Sequence, residues 1–161
     1  MTHAYRKEEE NDQLLKRFQA DKLKKALGEE WAVLVRLHPA MKGQFVEAGE
    51  DCYDASGYAD VKDLYEVADV LVNDYSSTMV EYALLDKPIV LFSYDLEKYD
   101  RGFYADYVKN SPGPIVTDLE QLVDAVKKQE VDEEARERFL QLHYDYYDAN
   151  NTKRVMDILN Q

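Results

Sequence analysis

Three short, mostly apolar runs constrain the fold of this chain more than any other feature of its sequence. They lie at 31–37, 68–73 and 88–92, and segments with helical periodicity separate them. Such runs are typical of strands that are buried on both faces, as in parallel sheets. Repeated strand and helix units with short connections predict an α/β fold, in which a Rossmann-like parallel sheet is flanked by helices.

The rest of the sequence predicts the other helices and strands of one such domain. An amphipathic helix that ends at Gly28 is predicted first, and Asp60 and Asp118 are in position to cap later helices. A chain of 161 residues can bury one core, so we expect a single α/β domain over residues 1–161. The other predicted elements are helices over 8–27, 60–67, 77–85 and 119–128, one or two helices over 132–160, and short strands at 52–54 and 115–116.

Charge and cysteine content exclude several classes of protein. The formal net charge is −13, with 33 acidic and 20 basic residues, which repels nucleic acid at long range. The one cysteine, Cys52, cannot form an internal disulfide, and no metal-ligand spacing accompanies it. We therefore expect no nucleic acid partner and no cofactor. We expect Cys52 to be a small, partly buried residue.

Membrane and export signals are missing from the pattern. No apolar run approaches the length that crossing a bilayer requires, and the first residues are polar and lack a signal-peptide pattern. These features predict a cytoplasmic location. The sequence leaves homo-oligomer formation open, and its thirteen tyrosines suit either a partner surface or ordinary half-buried positions.

Polar residues follow two of the predicted strands, where ligands bind in a doubly wound sheet. Arg36 and His38 end the first run, and alternation along a strand places them on the same side. Arg101 lies in the long irregular segment 94–114, and its guanidinium suits bidentate phosphate binding. The alternatives are a histidine that only caps a strand end and an arginine in a surface ion pair.

The densest polar cluster lies between the second strand and the next helix. It contains Asp74, Ser76, Ser77 and Thr78, and Glu81 follows Ser77 by one helical turn. Hydroxyls and free backbone N–H groups at such a turn can hold a diphosphate, and Glu81 could then accept hydrogen bonds from sugar hydroxyls. The alternative is an ordinary helix cap by Ser76 or Ser77.

Together, these clusters resemble the CDP-glycerol glycerophosphotransferase family, which makes teichoic acids. The order and spacing of the motifs match from Arg36 to Asp106, whereas the flanking helices match only in general character. The matching segments are Arg36-Leu37-His38-Pro39, Asp60-Val61-Lys62-Asp63-Leu64-Tyr65 with Ala68-Asp69, Asp74-Tyr75-Ser76-Ser77 with Glu81, Lys87-Pro88, Tyr94-Asp95-Leu96 and Arg101-Gly102-Phe103-Tyr104.

The resemblance implies the second, C-terminal half of a two-domain enzyme of the GT-B glycosyltransferase type. In that family this half binds CDP-glycerol, and the full enzyme transfers glycerol phosphate to a poly(glycerol phosphate) chain or a lipid-linked primer and releases CMP. The full enzyme would then be peripheral at the inner face of the cell membrane. The residues that the resemblance implicates are His38 for activity and Arg36, Asp74, Ser76, Ser77, Thr78, Glu81 and Arg101 for substrate binding.

Two departures from the family pattern suggest that this chain alone is inactive. The family uses a second histidine, from a His-Gly pair in the first domain, but His3 precedes alanine and His143 precedes tyrosine. Only Tyr5-Arg6 matches the motif that follows the domain's first strand, so we expect the chain to begin just inside the domain and to lack that strand. Two other interpretations stay open, namely a GT-B domain that binds a UDP-sugar and a non-catalytic nucleotide-binding or interaction module.

Overall fold

The computed structural model of the chain describes residues 18–38, 50–98 and 105–160. Short strands alternate with helices along these segments, as the sequence pattern predicts. The strands are β1 (Val33–Val35), β2 (Cys52–Asp54), β3 (Leu71–Asn73), β4 (Ile89–Phe92) and β5 (Ile115–Val116). The α-helices are α1 (Ala20–Leu27), α2 (Val61–Val67), α3 (Thr78–Tyr82), α4 (Leu119–Lys128), α5 (Glu133–His143) and α6 (Asn151–Leu159), and 3₁₀ turns occupy Ala83–Leu85 and Leu96–Lys98.

All strand pairs among the described residues are parallel, which confirms the predicted sheet type. β1 pairs with β2, with Leu34 opposite Tyr53. β4 lies between β3 and β5, and Val72 of β3 is opposite Val90 of β4. The described strands thus form two parallel sheets, β1-β2 and β3-β4-β5, rather than one continuous sheet.

Aspartates determine where three helices begin. The carboxylate of Asp60 accepts a hydrogen bond from the amide of Lys62, and Asp118 and Asp132 cap α4 and α5 in the same way. Each carboxylate satisfies an N–H group that has no partner inside its helix. The caps predicted at Asp60 and Asp118 are confirmed.

Two apolar cores lie on the two faces of the three-stranded sheet. Alternate side chains of β4 point to opposite faces, so Val90 and Phe92 enter one core while Ile89 and Leu91 enter the other. The first core also contains side chains of α1, β1, β2 and α4, and it joins the two sheets. The second core contains side chains from α2, the segment 82–83 and α5. Cys52 is fully buried in the first core.

β1 differs from its prediction in length and burial. It covers only Val33–Val35 of the apolar run, and Leu34 is 43 % exposed while both its neighbours are buried. The prediction that this strand is buried on both faces is therefore wrong for the described structure. Among the described strands β1 has a neighbour on one side only, and a cavity lies on its other side.

Parts of other predictions lie outside the described residues. The helix predicted over 8–27 is observed from Ala20, and residue Arg101 and most of its surroundings are outside the described range. No helix in the described part of the chain combines the length and the apolar character that are needed to cross a bilayer.

Candidate functional site

The segment after β1 is held against the loop that follows β2. Nη1 of Arg36 donates hydrogen bonds to the carbonyl oxygens of Ala55 (3.3 Å) and Tyr58 (2.8 Å). The amide of Leu37 donates to Oγ of Ser56 at 3.0 Å. Arg36 therefore fixes the loop beside the carboxyl end of β1, and His38 follows at this edge, half-buried.

The loop after β3 is organised by its own side chains. The buried Asn73 donates from Nδ2 to the carbonyl oxygen of Ser76 at 2.8 Å. Oγ of Ser76 lies 2.9 Å from Oγ1 of Thr78 and accepts a hydrogen bond from the Thr78 amide at 3.3 Å. Ser77 is exposed, and its side chain makes no capping hydrogen bond. Ser76 thus supports the turn, whereas the hydroxyl of Ser77 faces solvent.

Tyr65 of α2 brings the two predicted clusters together. Its hydroxyl donates to Oε2 of Glu81 at 3.3 Å. Burial, and then the charge and hydrogen bond of Glu81, raise the pKa of Tyr65 to about 12, while a hydrogen bond with Thr78 and the charge of Arg36 act in the opposite direction. Glu81, in the helix after β3, therefore lies beside this phenol, and Arg36, after β1, is near enough for its charge to act on it.

Tyr107 connects the loops after β3 and β4, a role that sequence reasoning did not find. Its hydroxyl donates to the carbonyl oxygen of Asp74 at 2.8 Å and lies 2.9 Å from Oγ of the buried Ser93. Asp74 itself is buried, with 5 % exposure. A tyrosine whose two partners lie many residues away leaves no local signal in the sequence.

Tyr75 forms a second connection between these loops. Its hydroxyl donates to Oδ1 of Asp95 at 2.9 Å, and its ring lies 5.4 Å from the ring of Tyr107. Burial, together with the neighbouring Asp95 carboxylate, raises the pKa of Tyr75 far above its usual range. The motif residues Tyr75 and Asp95 thus hold the edge of the site rather than extend into it.

The described residues contain no group of three or more histidine, cysteine, aspartate or glutamate side chains that could bind a metal ion. Arg36 supplies a cation to the candidate site, whereas Arg101 is outside the described range. An anionic ligand at this edge would find hydroxyl donors and the ring of His38, whereas Nη1 of Arg36 is engaged by the carbonyl oxygens of Ala55 and Tyr58.

A parallel α/β fold with polar residues at the carboxyl ends of its strands is typical of nucleotide-binding domains. Comparison with known proteins identifies the family. The chain belongs to the CDP-glycerol:poly(glycerophosphate) glycerophosphotransferase family, whose model matches residues 2–161.

The curated relatives of similar sequence are named as enzymes that act on teichoic acid. The chain is 41% identical, over 74% of its length, to a teichoic acid glycerol-phosphate transferase of Staphylococcus aureus. It is 34% identical, over 89% of its length, to a teichoic acid glycerol-phosphate primase of Bacillus spizizenii. It spans only 31% of the transferase and 38% of the primase.

A solved structure supports the fold assignment. The wall teichoic acid polymerase TagF matches with a TM-score of 0.72 and 31% sequence identity, over 89% of this chain and 38% of TagF. A variant of TagF soaked with CDPG matches with the same TM-score. The predicted Rossmann-like fold, resembling a domain of a GT-B glycosyltransferase, is confirmed by these matches.

Proposed function

We propose that this chain supplies the CDP-glycerol-binding site of a glycerophosphotransferase of teichoic acid synthesis. The observation that carries the proposal is that polar residues after β1 and after β3 lie at one edge of the fold, where the Tyr65 hydroxyl donates to Glu81 and the exposed Ser77 begins the helix after β3. Family membership and the CDPG soak of the TagF variant agree with it. The domain would be one part of a larger enzyme, because the chain spans 31% of the transferase and 38% of the primase.

The proposed roles follow the geometry of the described side chains and, for Arg101, the family resemblance. We assign the diphosphate to His38, Ser77 and Arg101, with Ser76 shaping the turn that presents Ser77. Glu81 is exposed beside Tyr65 and is assigned to ribose or glycerol hydroxyls. The structural roles belong to Arg36, which holds the loop after β2, to Thr78, which contacts Tyr65, and to Asp74, whose carbonyl group binds Tyr107.

In the proposed reaction a terminal hydroxyl of the acceptor attacks the β-phosphorus of CDP-glycerol. A new oxygen–phosphorus bond forms, the bond from that phosphorus to the bridging oxygen breaks, and CMP leaves with the bridging oxygen. The proton of the attacking hydroxyl passes to a base that the family resemblance places in the other half of the enzyme. His38 and the hydroxyl of Ser77 would offset the charge that develops on the leaving phosphate.

The acceptor in this proposal is a poly(glycerol phosphate) chain or a lipid-linked primer. Such an acceptor would bring the complete enzyme to the inner face of the cell membrane. A second donor, CDP-ribitol, is worth testing because a teichoic acid poly(ribitol-phosphate) polymerase of Bacillus spizizenii is 34% identical over 85% of this chain.

Calorimetric titration of the chain with CDP-glycerol, CDP-ribitol, CMP and UDP-glucose tests the proposal. We expect saturable binding of the cytidine nucleotides and no heat from UDP-glucose. Truncation of a phosphate contact by Ser77→Ala or His38→Ala should weaken CDP-glycerol binding about tenfold or more, as loss of a charge-assisted hydrogen bond does. Thr152→Ala, in the exposed face of α6, is the matched control and should bind like the unaltered chain.

Three outcomes would contradict the proposal. Preference for UDP-glucose would support a sugar-nucleotide domain instead. Equal affinity in the Ser77→Ala, His38→Ala and Thr152→Ala variants would place the ligand elsewhere. Absence of binding by a chain whose thermal unfolding is cooperative would contradict donor binding by this domain.

A further inference from the structure

The loop after β3 is held by hydrogen bonds to two of its backbone carbonyl groups. We refer to residues 74–77 as the serine loop. The hydroxyl of Tyr107 donates to the carbonyl oxygen of Asp74, and Nδ2 of Asn73 donates to the carbonyl oxygen of Ser76, each at 2.8 Å. Asp74 is 5 % exposed and Asn73 is 2 % exposed, so both hydrogen bonds lie away from solvent. The serine loop is therefore fastened near each of its ends.

These hydrogen bonds set the direction of the amide groups in the serine loop. In a trans peptide the N–H group points to the side opposite its C=O group. The carbonyl group of Ser76 and the amide of Ser77 belong to one peptide, and that carbonyl group is turned toward the buried Asn73. The Ser77 amide therefore points away from Asn73, and the side chain of Ser77 is exposed as well.

Tyr107 links the serine loop to the end of β4. Its hydroxyl lies 2.9 Å from Oγ of Ser93, a residue that directly follows β4 and is fully buried. A phenol carries one hydrogen, and Tyr107 gives it to Asp74, so Ser93 is the donor in the contact between the two hydroxyls. The hydrogen bonds thus run in one direction, from Ser93 through Tyr107 to the serine loop.

The ring of Tyr107 makes a separate contact with the serine loop. It lies 5.4 Å from the ring of the buried Tyr75, at an angle of 57° between the ring planes. Aromatic pairs in such tilted arrangements attract each other independently of the hydroxyl groups. Tyr107→Phe would keep this ring contact and remove the hydrogen bonds, so the substitution isolates the contribution of the hydroxyl.

We propose that Tyr107 is a positioning residue for the donor nucleotide, which acts by holding the serine loop so that Ser77 faces the diphosphate. Its one hydrogen is committed to Asp74, so its hydroxyl has none to donate to a ligand. Loss of that hydroxyl would leave the serine loop in other arrangements for part of the time, and only the remaining fraction of molecules would bind tightly. The inference rests on the proposed function for the identity of the ligand.

The order of the serine loop in the absence of ligand is the first test. Nuclear magnetic resonance relaxation of the ¹⁵N-labelled chain gives order parameters, which are about 0.85 for rigid backbone and below about 0.6 for flexible backbone. Tyr107→Phe should lower the values of Ser76 and Ser77 toward about 0.6. It should also shift the ¹³C resonance of the Asp74 carbonyl group, whose donor it removes.

Tyr82→Phe is the matched control for the loss of a tyrosine hydroxyl. The hydroxyl of Tyr82 also donates to a backbone carbonyl oxygen, that of Ala68 at 2.9 Å, which lies outside the serine loop. This substitution should lower the melting temperature through the loss of a hydrogen bond. It should leave the order parameters of Ser76 and Ser77 unchanged, which separates positioning of the serine loop from a general loss of stability.

Calorimetric titration with CDP-glycerol is the second test, at a temperature at which every variant is folded. Tyr107→Phe should raise the Kd about fivefold, because fewer molecules hold the serine loop in place. Tyr82→Phe should bind like the unaltered chain. In a chain that already carries Ser77→Ala, Tyr107→Phe should raise the Kd by less than about twofold, because the group that Tyr107 positions is gone.

The proposal is overturned if Tyr107→Phe changes neither the order parameters nor the Asp74 carbonyl resonance, or if Tyr82→Phe changes the order parameters and the Kd as much. An unaltered Kd in Tyr107→Phe, or an effect as large in the Ser77→Ala background, would have the same consequence. Failure of the unaltered chain to bind CDP-glycerol contradicts the proposed function instead. The order parameters then still decide whether Tyr107 holds the serine loop, so the two failures are distinguishable.

Discussion

At the scale of single residues, Gly113 illustrates a close approach that only glycine allows. A Cβ atom at this position would lie 1.9 Å from the carbonyl oxygen of Ile89, in the backbone of β4. We expect Gly113→Ala to force the segment before β5 away from β4 and to lower the free energy of unfolding by about 1–3 kcal/mol. Urea unfolding would measure this, and a stability equal to that of the unaltered chain would contradict so close an approach of the two backbones.

The buried phenol of Tyr65 predicts a loss of stability in alkali. Its pKa is raised to about 12 in the folded chain from an ordinary value near 10. Between pH 10 and pH 12 the unfolded state therefore binds fewer protons than the folded state, and stability falls as pH rises through this range. Tyr65→Phe should make this fall shallower.

Urea unfolding at a series of pH values measures the slope. Tyr58→Phe is the matched control, because it removes a phenol from a half-exposed ring whose side chain forms none of the contacts of the site. Equal slopes in Tyr65→Phe and in the unaltered chain would show that the Tyr65 hydroxyl ionises as it does in the unfolded state.

At the scale of elements, Lys87 closes the carboxyl end of α2. Its Nζ donates hydrogen bonds to the carbonyl oxygens of Tyr65, Glu66 and Ala68, at 3.1, 2.8 and 2.8 Å. A cation at this end also interacts favourably with the helix dipole. Lys87→Met should lower the free energy of unfolding by about 1–3 kcal/mol, as expected for lost hydrogen bonds to a charged group.

Chemical denaturation with Lys62→Met as control tests this role, because Lys62 is exposed at the opposite end of the same helix. The control should change stability by less than about 0.5 kcal/mol. Equal effects of the two substitutions would mean that Lys87 contributes only its overall charge.

The elements themselves were largely predictable, and their contacts were not. The runs at 68–73 and 88–92 contain β3 and β4, and α4 has the bounds that its pattern predicts. Local periodicity carries this information. The roles of Tyr65, Tyr107 and Lys87 depend on partners many residues away, so no local pattern could reveal them. The cavity beside β1 likewise depends on which strands become neighbours, which an apolar run does not specify.

At the scale of the whole molecule, one core joins the two sheets. Leu23 of α1 is 2 % exposed and belongs to the core that also holds Val35 of β1 and Val116 of β5. Leu23→Ala should lower the free energy of unfolding by about 2–5 kcal/mol, through lost burial and the cavity that remains. Leu142→Ala, at a site that is 38 % exposed, is the control. A small effect of Leu23→Ala would mean that the sheets are held together by other contacts.

The last helix stands apart from both of these cores. Residue Arg154 of α6 binds Asp148 through both guanidinium Nη atoms and covers the ring of Tyr146, so this helix is fastened to the segment just before it. No residue of α6 belongs to either apolar core, and Ile158 and Leu159 are more than 70 % exposed. Limited proteolysis near residue 149 should therefore yield a shorter fragment that melts at the temperature of the parent chain. The last helix can then be removed while both apolar cores stay folded.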